Sequence, residues 1–92
     1  FDRELLADVA ERLINHLQNR TDVQNIDLMN LSGFCRNCLS KWYLSSAEKK
    51  KISISYDEVR EMVYGMPYEE WKRKFQTEIS SEQKEKFETK KG

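Results

Sequence analysis

A chain of 92 residues makes one domain with a single small core, since so short a chain buries only about 60–65% of its unfolded surface. Lys plus Arg balances Asp plus Glu at 16 each, and 35% of the residues are charged against 38% hydrophobic, so no net field draws the chain to nucleic acid or an anionic membrane. No apolar run approaches the roughly 20 residues that span a bilayer, no signal peptide is recognisable, and two cysteines three positions apart make no secreted disulfide framework, so the expected location is cytoplasmic.

The charge is unevenly spread. Residues 1–30 carry a net of −3 and residues 31–51 a net of +4, which predicts complementarity between the start and the middle of the chain. Residues 3–19 read as an amphipathic helix. Leu5, Leu6, Val9, Ala10, Leu13, Ile14 and Leu17 recur at three- and four-residue steps, and Glu4, Asp8, Glu11, Asn15 and Gln18 fall opposite. His16, the only histidine, lies within the apolar arc. Thr21 with Gln24 has the form of a capping box and predicts a second helix to about Asn30, sandwiched inside the fold. Asn25, Asp27 and Asn30 must then cap neighbouring backbone, because a buried polar group without a partner costs about 1–3 kcal/mol.

The densest apolar patterning is in Ile26–Tyr43, which the pattern marks as the centre of the core. Ser32 is the predicted N-cap of a third helix, with Phe34, Cys35, Cys38, Leu39 and Trp42 as its inward stripe and Arg36, Asn37, Ser40 and Lys41 outside. Lys49–Lys51 suit its C-terminal end. Ile52–Ser55 alternates like a strand but has no partner strand, and reads as an extended connector pinned by its two isoleucines. Ser55 and Glu58 form a capping box for a helix with Val59, Met62 and Val63 inward, ended by Gly65. Pro67 opens the next helix, whose Tyr68, Trp71 and Phe75, together with Tyr64, are read as core. Ser80 with Gln83 predicts a last helix to about Lys90. The fold class expected is all-α, a compact irregular array of five or six short helices in a single domain over 1–92. Its core is expected over 3–78, with 79–92 as a charged, marginally ordered helix or tail.

Cys35-Arg36-Asn37-Cys38 is where chemistry is expected if there is any. Packing is the first reading, because buried free cysteines behave as small hydrophobes and these share a stripe with Phe34 and Leu39. A second is metal: zinc held by Cys35, Cys38 and His16, with Asp27 as fourth ligand. A third is redox, since Cys35 in the first turn of a helix beside Arg36 would favour the thiolate. Cys35 with His16 as nucleophile and base is the remaining arrangement. Arg36, Lys41 and Lys49–Lys51 with Trp42 and Tyr43 form a basic-aromatic surface, and Lys72–Lys74 beside Trp71 and Phe75 form another. Both are patterns that bind RNA or single strands, though lysine clusters are more commonly a solvated face.

Two stretches carry a resemblance. Thr21–Tyr43, with Gly-Phe-Cys-Arg-Asn-Cys-Leu-Ser-Lys-Trp-Tyr, and the later Tyr-Gly-Met-Pro-Tyr-Glu-Glu-Trp-Lys at Tyr64–Lys72 resemble the signatures of a small bacterial family, domain of unknown function 1244. The resemblance is drawn over about residues 3–78. It implies a compact helical fold and carries no catalytic residue to transfer. The functional expectation is an interaction or regulatory module, working with a protein partner or as a homodimer, without assigned enzyme activity. Arg36, Lys41 and Tyr43 are its expected surface residues. The rival is a thiol or metal site at Cys35, Cys38 and His16, followed by nucleic-acid binding.

Overall fold

Six helices make up the computed structural model, which describes residues 1–91, the last two by their backbone only, and no strand occurs among the described residues. They are α1 Arg3–Asn19, α2 Asn25–Ser32, α3 Arg36–Lys49, α4 Tyr56–Tyr64, α5 Tyr68–Phe75 and α6 Ser81–Lys91. The expected all-α class holds, and Ile52–Ser55 is the extended connector its lone alternation implies.

Local signals place most boundaries. Asp2 caps α1, its carboxylate accepting from the Glu4 and Leu5 N–H groups at 2.9 and 3.2 Å. Ser55 and Glu58 form the reciprocal box on α4, and Ser80 with Gln83 forms the same pair of bonds ahead of α6. Gly65 ends α4 at φ 78°, and a Cβ there would lie 3.1 Å from the Gln18 side chain. That side chain donates to the Met62 and Val63 carbonyls, tying the end of α1 to the end of α4.

Two boundaries differ from the sequence reading. Gln24, not Thr21, is the N-cap of α2. Asp27 reaches back to its N–H at 3.2 Å, while the Gln24 side chain bridges to Phe75 O and Thr77 N beyond α5. Ser32 does not cap α3; it is the last residue of α2, which Gly33 terminates at φ 81°. The cap of α3 is Cys35.

The core is also displaced from the expected place. It gathers on α4 and α5, where Val59, Val63, Tyr64 and Trp71 are buried and Leu44, Ile54, Met66, Tyr68 and Phe75 pack around them. Tyr64 meets Tyr68 and Trp71 edge to face at 5.2 and 5.1 Å, the arrangement favoured by the ring quadrupoles. The inward stripe of α3 is Arg36, Ser40 and Ala47, not Cys38 and Trp42. Ser40 and Ala47 are small enough to let α4 approach closely, and a large ring at that contact would hold the helices apart. Of the two connector isoleucines only Ile54 is packed; Ile52 is exposed. Met62, expected inward on α4, is 47% exposed.

Of α1, only the C-terminal end joins this body. Residues 1–13 are exposed throughout, and Leu17 is the helix's one buried residue. The helix lies against α4, and among the described residues no ion pair joins the acidic start to the basic middle of the chain, which meet instead through Arg36 and the Leu17, Arg20 and Val23 carbonyls. The radius of gyration, 14.4 Å, exceeds the roughly 12 Å of a spherical domain of this length, as a protruding helix requires. At the other end α6 packs on α2: Gln83 donates to Asp27 at 2.8 Å, and Asn30 donates to the Gln83 carbonyl at 3.1 Å.

Candidate functional site

The turn from Gly33 to Cys35 brings the two sulfurs together at the start of α3. Cys35 is extended at φ −143° and Cys38 lies one turn in, which leaves the Sγ atoms 3.8 Å apart as free thiols. Cys38 is half-buried against Met29, 3.9 Å from its sulfur. Burial pushes the Cys35 thiol up and outweighs the Cys38 and Asn37 backbone N–H groups that favour the thiolate. The thiolate that the redox reading needs is disfavoured there, because Cys35 is drawn out of water together with its helix end.

The other residues named for metal lie elsewhere. His16 is exposed on α1. Asp27 is taken by the Gln24 N–H and the Gln83 amide. No group of three His, Cys, Asp or Glu side chains among the described residues is placed to hold an ion, and Cys35, Cys38, His16 and Asp27 are not brought together. Nor does His16 hydrogen-bond either sulfur, as a base serving Cys35 would.

Arg36 is the largest departure from expectation. Read as a surface residue, it is 1% exposed. Its Nη1 donates to Val23 O and Asn25 Oδ1 at 2.9 and 3.1 Å, and its Nη2 to Leu17 O and Arg20 O at 3.1 and 2.8 Å. The guanidinium lies 5.0 Å from the centre of the Trp71 ring. The Leu17 and Arg20 carbonyls at the end of α1, which already accept from the Arg20 and Val23 N–H groups, thus take a second donor from the first residue of α3. Burial lowers the Arg36 pKa, and with no carboxylate touching it the charge is held by carbonyl dipoles. Beside it Asn25 donates to the Tyr64 hydroxyl at 3.0 Å, which donates to Asn37 at 2.7 Å. A stripe of Arg36, Ser40 and Ala47 in α3 was the available signal for this face, masked by the louder aromatics.

Those aromatics are outside. Trp42, expected in the core, is 58% exposed and Tyr43 52%, with Phe34 6.0 Å from the Trp42 ring. Lys41 is exposed, as expected of a surface residue. The second basic-aromatic patch has no free indole to stack on a base, because Trp71 is 1% exposed beneath Lys72–Lys74. On α1, Leu5 (66%), Leu6 (47%), Val9 (64%) and Leu13 (39%) form a continuous exposed apolar stripe.

Concave surfaces are shallow or small. About 760 Å³ lies between α2 and α6, bounded by Asp27, Asn30, Glu78 and Lys86. A second cavity of about 170 Å³ is lined by Asn25, Asn37, Tyr68 and Trp71, below the volume usual for an organic ligand.

The sequence model of a family described as "Protein of unknown function (DUF1244)" matches residues 23–89. The match begins after α1 and takes in nearly all of α6, a shift from the 3–78 over which the resemblance was drawn. No curated protein matches the chain.

Proposed function

The chain belongs to the DUF1244 family, and we propose that it works as a small protein-interaction module whose docking element is α1. One observation carries this reading: Leu5, Leu6, Val9 and Leu13 are exposed side by side on a helix that stands out from the body. Fully burying each would contribute about 1.5–3 kcal/mol, so the stripe, roughly half exposed, leaves on the order of 3–6 kcal/mol unused. The exposed part of the helix, residues 3–13, is also too short to be more than marginal in water without packing. An apolar face of this kind is the mark of a surface that meets another protein. The exposed Trp42 and Tyr43 on α3 belong to the residue types favoured at such contacts.

A photo-cross-linking residue in place of Val9, in the intact chain inside its own cells, tests the reading. A discrete protein adduct that disappears when Leu6→Asp is added supports it. No adduct at Val9, or one that Leu6→Asp leaves intact, refutes it.

A further inference from the structure

The α1 stripe has a symmetry of its own, and, resting on the docking role proposed above, we infer that its occupant is a second copy of this chain, the two α1 helices packed antiparallel about Val9. At about 100° per residue, Asp2, Leu5, Leu6, Val9, Leu13 and His16 all fall within one arc of about 100°. Reversing the helix about Val9 carries position 5 onto 13 and position 2 onto 16. Leucine therefore meets leucine, Val9 meets Val9, and the Asp2 carboxylate comes level with His16 of the second copy.

The flank agrees. Asp8 and Arg12 border the arc on its Leu5 side, and in an antiparallel pair each flank faces its own counterpart. Arg12 of the second copy is then offset from Asp8 by two residues, about 3 Å along the axis, so the pair forms twice. Asp8, Arg12 and His16 are in no ion pair among the described residues, which leaves them available for it. The helix dipoles also oppose one another. The second copy's first turn arrives level with Leu17, where α1 meets α4 and Met62 is 47% exposed.

The outer face of α3 is a poorer occupant for the stripe. It offers Trp42 and Tyr43 with Lys49 and Lys50, but Glu4 and Glu11 lie on the side of α1 opposite the leucines. They would point away from those lysines whenever the leucines met the rings.

Sedimentation velocity of the full chain between about 1 and 100 µM tests the pairing. The expected result is a concentration-dependent species of twice 11.0 kDa, returned to 11.0 kDa by Val9→Asp. Asp8→Arg or Arg12→Asp alone places like charges together and weakens the dimer roughly tenfold, whereas the two combined restore it to within about twofold. A chain that stays at 11.0 kDa throughout, a Val9→Asp variant that dimerises like the parent, or a double variant no tighter than either single one overturns the inference. The failures are separable. A monomeric chain whose Val9 cross-links to a different protein loses the homodimer and keeps the docking role, while a monomeric chain with no cross-link loses both.

Discussion

Replacing Arg36 by alanine removes four donated hydrogen bonds from the junction of α1, α2 and α3. The acceptors that lose a donor are Leu17 O, Arg20 O, Val23 O and Asn25 Oδ1; Leu17 O and Arg20 O keep the Arg20 and Val23 N–H groups, and Asn25 Oδ1 keeps the Arg36 N–H. At about 1.5–3 kcal/mol for each bond to a charged donor the gross loss is on the order of 6–12 kcal/mol. Against it stands the desolvation of a guanidinium that has no carboxylate beside it, which the variant recovers. Breaking a buried hydrogen-bond network lies at the large end of the range for single substitutions, about 3–4 kcal/mol, and that is the loss expected here. A domain of this length is stable by about 5–14 kcal/mol, so the variant should sit near the edge of folding. Urea titration followed by far-ultraviolet circular dichroism reads it. With a slope of about 1–3 kcal/mol/M the midpoint should fall by at least about 1 M. Arg36→Lys keeps the charge but cannot span four acceptors in two directions, and should lose at least about half as much. An Arg36→Ala midpoint within about 0.3 M of the parent would refute the view that this side chain fastens α1 to the body.

The two tryptophans should behave oppositely. Trp71→Ala empties a fully buried site and should cost about 3–5 kcal/mol, whereas Trp42→Ala loses only its exposed contact with Phe34, worth about 1.5 kcal/mol or less; thermal melts of both at low concentration check the contrast, and equal losses would contradict it. Alkaline pH should destabilise the fold. Burial raises the pKa of both Cys35 and Tyr64, so the native state holds their protons more tightly than the unfolded chain does. Their contribution is complete below the unfolded values and is lost as pH rises past about 8.5 for the thiol and about 10 for the phenol. Melting temperature should therefore decline from about pH 8.5 and faster above 10, with Tyr64→Phe flattening the second limb; an unchanged melting temperature up to pH 11 would contradict this.

Periodicity, caps and turn residues determined a good deal of this protein. The span of α1, the boxes at Ser55 and Ser80, the stop at Gly65 and the aromatic face of α5 all depend on neighbours within four or five residues, and those forces are present in the sequence itself. Which face of each helix turned inward was decided only by the tertiary structure. On α3 the hydrophobic stripe pointed to Cys38 and Trp42, but the close approach of α4 selected Ser40 and Ala47 for the contact and brought Arg36 in with them. The carbonyls at the end of α1 then supplied what a buried guanidinium needs, a pairing across 16 to 19 residues that no local pattern encodes. The same limit applies to α1. Its leucines announced a helix with one apolar side, but an apolar side finds its cover wherever the surrounding helices leave room, and here the body covers only the last turn.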